Sequence, residues 1–221
     1  DLVSMARPFL ADADFVNKAA AGRADEINTC IACNQACLDH TFRNKTASCL
    51  LNPRACHETT LVLTPTRRKK TVAVVGAGPA GLSAAIAAAE RGLDVTVFEA
   101  SDAIGGQFRH AMEIPGKEDF RESVRFWTRR LETLGVDVRL NSRAQATDLA
   151  GYDEVVVATG VSGREIDIPG IDHPSVVSYA DLLSGRATAG QRVAVIGAGG
   201  VGVDVAHYLT HDGEEKVGDW Y

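Results

Sequence analysis

The chain has 221 residues, of which 45% are hydrophobic and 24% are charged, and its formal net charge is −6. These values are typical of a globular protein, and the absence of a basic stripe with interleaved aromatic residues argues against nucleic acid as a partner. No apolar stretch approaches the ~18 residues of a membrane span, and no signal-peptide pattern opens the chain. We therefore expect a cytoplasmic protein without a membrane partner.

The first predicted elements are short. We expect an apolar strand fragment at residues 1–5, a turn at residues 6–8 and a helix at residues 12–21 that stops near Gly22. The chain opens on Asp1 rather than Met, so we expect it to be a piece from the interior of a longer protein.

Residues 28–66 are irregular and rich in cysteine, with few large apolar residues to form a core. Cysteines that cluster in a chain without secretion signals favour metal or cluster binding over disulfides. Their spacing is C-x2-C-x3-C-x11-C, given by Cys30, Cys33, Cys37 and Cys49. Three thiolates from one short loop and a fourth from a later loop suit the four iron corners of a [4Fe–4S] cluster.

Zinc is the alternative for these cysteines, with His40 and His57 as further candidate ligands. Zinc sites favour two paired C-x2-C knuckles, and the second half of this segment has no such pair. The fifth cysteine, Cys56, is left over, and we interpret it as a small buried apolar residue.

A dinucleotide-binding unit is predicted from residue 71 onward. Residues 71–75 form a continuous apolar run, which is typical of a buried parallel strand. A G-x-G-x-x-G turn at residues 76–81 leads into a helix at residues 82–91, and residues 94–99 form the next strand. Such a turn lets a pyrophosphate approach the backbone at a helix N-terminus. The carboxylate of Glu99 is placed to accept hydrogen bonds from a ribose.

Two further stretches favour FAD over NAD at this first site. Residues 104–107 contain a Gly-Gly pair. It resembles a loop of flavoproteins with two dinucleotide domains, in which the loop lies along the FAD. The strand predicted at residues 154–160 ends in Ala-Thr-Gly, which resembles the second motif of FAD-binding proteins. Between these stretches we predict a helix at residues 117–134 and a strand at residues 136–140.

A second strand–turn–helix unit is predicted later in the chain. Residues 191–196 form its apolar strand, and residues 203–209 form its helix. The turn between them repeats the G-x-G-x-x-G pattern, with Gly197, Gly199 and Gly202. In a chain that already binds FAD, a second nucleotide fold usually serves NAD(P)H. The choice between NADPH and NADH remains open, because the residue that reads the 2′ position follows on a later strand.

The sequence resembles the bacterial NADPH-dependent 2,4-dienoyl-CoA reductase family of old-yellow-enzyme-like iron–sulfur flavoproteins. The resemblance rests on the cysteine spacing and on the stretches IGGQF at residues 104–108, IPGKE at residues 114–118 and PGIDHP at residues 169–174. It covers nearly the whole chain. The wider group includes 2-enoate reductases, NADH oxidases and trimethylamine dehydrogenase, and the cysteine spacing fits the reductases better than trimethylamine dehydrogenase.

The resemblance implies an α/β fold with a doubly wound parallel sheet of the FAD/NAD(P)-binding Rossmann-like type. An iron–sulfur loop segment and the end of a TIM barrel would precede it. The implied parts are the end of an FMN-binding barrel (1–27), a [4Fe–4S] segment (28–66), an incomplete FAD-binding domain (67–189) and the start of an NAD(P)H-binding domain (190–221).

The resemblance also assigns ligands residue by residue. Cys30, Cys33, Cys37 and Cys49 would hold the cluster. Residues 6–9 resemble the late barrel loop that binds the FMN phosphate, so Ala6 and Arg7 are candidate FMN contacts, with a plain surface arginine as the alternative. Motifs and resemblance together place FAD on Gly76, Gly78, Pro79, Ala80, Gly81, Glu99, Gly106, Gln107, Lys117, Ala144, Ala158, Thr159 and Gly160. For Lys117 the alternative is an exposed residue in the first turn of a helix.

The implied activity is reduction of an unsaturated acyl-CoA in fatty-acid β-oxidation. Electrons would pass from NAD(P)H to FAD, through the cluster to FMN, and on to the substrate. The proton donors would lie in the barrel, so no catalytic residue is predicted in this chain, and the rest of the same polypeptide is its expected partner. The alternatives are an amine dehydrogenase, an NADH oxidase and a non-catalytic electron-relay subunit.

Overall fold

The computed structural model describes residues 2–164 and 166–211. These residues form a parallel sheet of four strands in the order β3-β2-β1-β4. The strands are β1 (Thr71–Val75), β2 (Asp94–Phe98), β3 (Asp137–Arg139) and β4 (Glu154–Val157). The helices are α1 (Arg7–Ala11), α2 (Phe15–Ala20), α3 (Leu38–Phe42), α4 (Pro79–Glu90), α5 (Phe108–Ala111), α6 (Phe120–Leu134), α7 (Ala146–Leu149), α8 (Tyr179–Leu183) and α9 (Gly200–Thr210).

Strand β1 lies at the centre of the sheet because it pairs with both β2 and β4. Val72 is in register with Val95 on one side and with Glu154 on the other. Consecutive residues of β1 are buried, so both faces of the strand are covered, as the continuous apolar run predicted. The carboxyl ends of β1, β2 and β4 therefore finish at one edge, where α/β sheets place their ligands.

Helices α4 and α6 form the core together with the sheet. The alanine-rich α4 packs on β1 and β2, and its Leu82 is fully buried. Helix α6 buries Trp127 and Leu131, which lie four residues apart on one face, and ends at Gly135 with a left-handed φ of 68°. The resulting fold is the predicted α/β fold with a parallel sheet.

Most predicted elements from residue 71 onward are present with shifted ends. Helix α4 begins at Pro79 rather than at residue 82, because proline fits the first turn of a helix. Helix α9 begins at Gly200 rather than at residue 203, and β4 stops at Val157 rather than at residue 160. Residues 28–66 are irregular as expected, apart from α3 and short turns.

Two predicted strands are wrong. Residues 2–5 form no strand, and Asp1 lies outside the described residues. The turn expected at residues 6–8 is the start of α1. Residues 191–196 form no strand either, and Ile196 is 62% exposed. An apolar run becomes a strand only when a neighbour takes up its backbone hydrogen bonds, and no described strand pairs with either run. The helix expected at residues 12–21 is also shorter and covers only α2.

The segment before the first cysteine is fastened to helix α6 by arginine side chains. Arg125 donates hydrogen bonds to the carbonyl oxygens of Asp25 and Ile27, the latter at 2.9 Å. One turn further, Arg129 pairs with the Asp25 carboxylate at 2.8 Å. The cysteine segment is thereby held against the domain that carries the glycine turn.

Replacing Arg125 by Ala is expected to loosen residues 25–29 and to lower the free energy of unfolding by about 2 kcal/mol, because hydrogen bonds from a charged donor are lost. Hydrogen exchange of the amides in this segment measures the loosening, and urea unfolding measures the stability. Arg121→Ala on the same helix is the matched control, since the bonds of Arg121 to other described residues go to nearby Met112 and Glu113. Equal exchange in both variants would contradict the prediction.

None of the helices among the described residues has the length and apolar character needed to cross a membrane.

Candidate functional site

The first glycine turn is built so closely that side chains are excluded from it. Gly76 has a φ of +106°, and a Cβ atom there would lie 2.3 Å from the Ala158 carbonyl oxygen. A Cβ on Gly81 would lie 1.9 Å from the Gly76 carbonyl oxygen. The turn therefore needs glycine at both positions, and it brings the start of α4 close to the end of β1.

The predicted FAD loop lies directly on this turn. The Gly105 N–H donates to the Ala77 carbonyl oxygen at 2.8 Å. This bond brings Gly106 beside Gly78, the residue that precedes α4. Together these residues leave the free N–H groups of the 12-residue helix facing the carboxyl edge of the sheet, a suitable place for a pyrophosphate.

Glu99 is held in a fixed position just beyond β2. Its two carboxylate oxygens accept hydrogen bonds from the Ala77 N–H at 2.7 Å and from the N–H and hydroxyl of Ser101, both at 2.8 Å. Burial opposes the charge, but these hydrogen bonds outweigh it and lower the pKa of Glu99. The carboxylate is therefore ionised and fixed next to the glycine turn, where a ribose contact was predicted.

The lowered pKa of Glu99 gives a stability effect with a definite sign. A carboxylate whose pKa is lower in the folded state stabilises it above the ordinary pKa of 4.5, and the contribution is lost as the pH falls through the folded-state pKa. We expect Glu99→Gln to lower the free energy of unfolding at about pH 7 and much less at about pH 3. Urea unfolding at both pH values measures this.

Glu132→Gln is the control for that measurement, because the Glu132 side chain is 60% exposed and, within the described part of the chain, its one ion pair is with Arg129 at 3.5 Å. If Glu99→Gln lowers the free energy of unfolding by the same amount at both pH values, the carboxylate charge has no part in the effect.

The second glycine turn has the same local geometry as the first. Gly197 has a φ of +116°, and a Cβ on Gly202 would lie 2.1 Å from the Gly197 carbonyl oxygen. The residues that precede the two helices, Gly78 and Gly199, share a φ of −81° with ψ near 180°. The second turn thus takes up the dinucleotide-binding shape although residues 191–196 are not paired in a sheet.

Lys117 links the two glycine-turn units. Its ammonium group lies 2.6 and 2.7 Å from the two carboxylate oxygens of Asp204, which is on helix α9. Sequence reasoning assigned Lys117 to FAD and did not consider Asp204, since no local pattern connects positions 87 residues apart. The contact of Lys117 with FAD stays a prediction.

The other predicted FAD residues lie around the same edge. Gln107 precedes α5 and accepts a hydrogen bond from the Tyr179 hydroxyl at 3.4 Å. Ala144 lies in the loop after β3 and is half-buried. Ala158, Thr159 and Gly160 follow β4, and the Ala158 N–H donates to the Val75 carbonyl oxygen at 2.8 Å.

The four spaced cysteines line one cavity. Cys30, Cys33, Cys37 and Cys49 surround it together with Arg7 and apolar residues that include Ile31 and Leu51. Burial raises the pKa of the Cys49 thiol, and backbone N–H groups of the following residues act in the opposite direction. Within residues 2–164 and 166–211, no group of three or more Cys, His, Asp or Glu side chains forms a site for a single metal ion.

Arg7 lies at the cavity, whereas the fifth cysteine, Cys56, lies outside it. Arg7, the candidate FMN contact, donates a hydrogen bond to the Asn34 side-chain oxygen at 2.8 Å, and its neighbour Ala6 is exposed just before α1. Cys56 is exposed and has a left-handed φ of 62°, so the interpretation of it as a buried apolar residue is wrong. It lies in a turn, next to the buried Ala55.

Comparison with known proteins decides the relationship of the chain. The family described as pyridine nucleotide-disulphide oxidoreductase matches residues 70–217, which include both glycine turns. The chain belongs to this family. Membership accounts for the FAD/NAD(P)-binding fold, and it indicates FAD and NAD(P)H as the two nucleotides that the family's glycine turns bind.

Individual relatives extend the match across the cysteine segment. The chain is 39% identical to a metal reductase of Desulforamulus reducens, over 96% of this chain and 33% of the relative. It is 36% identical to a cinnamate reductase of Clostridium sporogenes, over 97% of this chain and 32% of that protein. The structure of a 2-naphthoyl-CoA reductase complex matches 93% of this chain and 32% of its own, with a TM-score of 0.89 and 36% identity. The chain therefore spans about a third of the length of these proteins.

Proposed function

We propose that this chain is the electron-transfer part of an NAD(P)H-dependent iron–sulfur flavoenzyme that reduces an unsaturated acyl-CoA, of the 2,4-dienoyl-CoA reductase type. The observation that carries the proposal is the cavity lined by Cys30, Cys33, Cys37 and Cys49. It lies on a segment that is fastened to the flavin-type domain through Arg125.

The cysteines suit a [4Fe–4S] cluster. They line a shared cavity, and most of the surface that faces it is apolar. A cubane needs four thiolates around a space of its own, whereas zinc needs its ligands around one point. Cys30, Cys33, Cys37 and Cys49 would hold the cluster, and bound there it would carry one electron at a time between two flavins.

Other residues of the chain would bind FAD, NAD(P)H and the FMN phosphate. The first glycine turn and the Glu99 carboxylate would bind the pyrophosphate and the ribose of FAD. The second turn begins helix α9, which Lys117 contacts through Asp204, and it would present NAD(P)H to the FAD. Arg7 lies at the cysteine cavity, where an FMN phosphate held by a preceding barrel would bring the second flavin near the cluster.

The N-terminal residues support a barrel partner in the same polypeptide. Leu2, Val3 and Phe9 are large apolar residues that are 103%, 78% and 43% exposed. A group of exposed apolar side chains of this kind marks a surface that another element covers. Residues 1–27 would then close the barrel, residues 28–66 hold the cluster, residues 67–189 bind FAD and residues 190–221 begin the NAD(P)H domain. The 2-naphthoyl-CoA reductase match supports the acyl-CoA class of substrate.

The test uses the full-length protein purified without oxygen. Iron and flavin analysis is expected to give about four irons per chain together with FAD and FMN. Stopped-flow mixing with NADPH or NADH is expected to bleach the flavin absorption, and an unsaturated acyl-CoA is expected to restore it. A protein without iron, or one that neither nucleotide reduces, would refute the proposal.

The same mixing experiment separates the alternatives. Bleaching by an amine, with no response to NADPH or NADH, would indicate an amine dehydrogenase. Bleaching by a nucleotide and recovery with oxygen but not with acyl-CoA would indicate an NADH oxidase. Bleaching that is reversed only by a separate electron carrier would indicate a relay subunit.

A further inference from the structure

An ion pair joins helix α9 to the first glycine-turn unit. The Lys117 ammonium lies 2.6 and 2.7 Å from the two carboxylate oxygens of Asp204, and the two residues are 87 positions apart. The Lys117 side chain is 39% exposed and that of Asp204 is 31% exposed, so water and salt screen the pair only in part. Within residues 2–164 and 166–211, this pair supplies all of the side-chain hydrogen bonds between α9 and other elements.

The second glycine turn depends on α9 for its position. Residues 191–196 lead into the turn, and no strand in the described part of the chain pairs with them. Helix α9 buries Val205, but apolar contact is non-directional. The hydrogen bonds of the ion pair set a direction as well as a distance, and they engage both carboxylate oxygens of Asp204. The ion pair therefore fixes where the start of α9 lies.

Asp204 lies where a negative charge opposes the binding of a nucleotide. It is one turn into α9, and the N-terminus of this helix is the predicted pyrophosphate site of NAD(P)H. The helix N-terminus attracts phosphates, whereas a carboxylate near it repels them. The Lys117 ammonium offsets that charge. A residue that is unfavourable for nucleotide binding and is paired across the two units suits a role in placement.

The ion pair also leaves Lys117 able to contact FAD. An ammonium group has three N–H donors, and two of them suffice for the carboxylate oxygens of Asp204. The backbone next to the side chain is fixed, because the Lys117 N–H donates to the Ile114 carbonyl oxygen at 3.0 Å. One ammonium group can therefore meet the second glycine-turn unit on one side and the predicted FAD site on the other.

We infer that Asp204 is a positioning residue for hydride transfer from NAD(P)H to FAD. Through Lys117 it holds the second glycine turn at the place from which the nicotinamide reaches the flavin. This inference rests on the proposed function, because it requires both nucleotides. Hydride transfer needs its reacting atoms about 3–3.5 Å apart, and a displacement of ~1 Å lowers a rate by about 100-fold. Asp204 acts here through Lys117 and touches no reacting atom.

The experiment compares variants of the full-length protein with wild type. Asp204→Asn keeps the size of the side chain and removes its charge, and Asp204→Glu keeps the charge as the conservative rescue. Glu90→Gln is the matched control, because the pair of Glu90 with Arg130 has the same 2.6 Å distance and similar exposure but lies within the first unit.

Three measurements accompany FAD analysis of each variant. Stopped-flow mixing with saturating NADPH or NADH gives the limiting rate constant of FAD reduction. Equilibrium titration with NADP⁺ or NAD⁺ gives the nucleotide Kd. Hydrogen exchange of residues 114–120 reports how firmly the Lys117 turn is anchored, and it needs no nucleotide.

Asp204→Asn is expected to keep FAD and to bind the oxidised nucleotide at least as tightly as wild type, because a negative charge is lost. The limiting rate constant is expected to fall by about tenfold or more, and residues 114–120 are expected to exchange faster. A general loss of structure does not combine unchanged or tighter binding with slower transfer. Asp204→Glu is expected to lie between Asp204→Asn and wild type, and Glu90→Gln is expected to match wild type.

An unchanged limiting rate constant in Asp204→Asn would overturn the inference, and so would unchanged exchange of residues 114–120. Loss of FAD, or weaker nucleotide binding that accounts for the slower reduction, would overturn it as well, because Asp204 would then only support a binding site. A wild-type protein whose FAD neither nucleotide reduces would instead contradict the proposed function itself.

Discussion

Replacing Cys49 by Ala is expected to remove the iron–sulfur cluster and to leave FAD in place. Cys49 comes from a different loop than the other three thiols, and a cluster with three thiolates has one iron corner without its protein ligand. Iron content is expected to fall from about four atoms per chain to nearly none. Reduction of FAD by NAD(P)H is expected to continue, because the glycine turns and Glu99 are built from other residues.

The passage of electrons beyond FAD is expected to stop in this variant. Turnover with an acyl-CoA would fall to background, whereas the rapid bleaching of FAD in the stopped-flow experiment would remain. Cys56→Ala is the matched control, because Cys56 is exposed and lies outside the cavity. If Cys49→Ala retains full iron, or if Cys56→Ala loses it, the assignment of the ligands is wrong.

Replacing Gly81 by Ala is expected to weaken FAD binding strongly. The added Cβ would lie 1.9 Å from the Gly76 carbonyl oxygen, which is backbone and cannot rotate away. Helix α4 must then move off β1, at a cost of about 3 kcal/mol in the free energy of unfolding. The movement also withdraws the helix N-terminus from the pyrophosphate, so FAD affinity is expected to fall more than about tenfold. Fluorescence titration with FAD and thermal unfolding measure the two effects.

The corresponding change in the second turn separates the two nucleotides. A Cβ on Gly202 would meet the Gly197 carbonyl oxygen at 2.1 Å, so Gly202→Ala is expected to keep FAD and to lose its reduction by NAD(P)H. Gly151→Ala is the control, since no atom lies within 4 Å of the Cβ that would be added there. FAD loss from Gly202→Ala, or full FAD affinity in Gly81→Ala, would contradict these assignments.

Patterns within a few residues predicted much of the fold. The apolar run before Gly76, the G-x-G-x-x-G turn and Glu99 at the end of the next strand each depend on local backbone geometry, and all are present as expected. The second glycine turn shows that its shape depends on local geometry, because it is kept without a paired strand before it. The apolar run at residues 191–196 predicted a strand that is not formed, because pairing depends on a partner that the run itself does not specify.

The sequence by itself therefore determined the type of fold, the positions of the two glycine turns and the set of candidate cysteine ligands. Only the tertiary structure decided that these cysteines line one cavity, that Arg125 fastens their segment to α6 and that Lys117 pairs with Asp204. The reason is physical. Turn and strand preferences arise from neighbouring residues, whereas a hydrogen bond between positions 87 or 98 residues apart depends on how the whole chain packs.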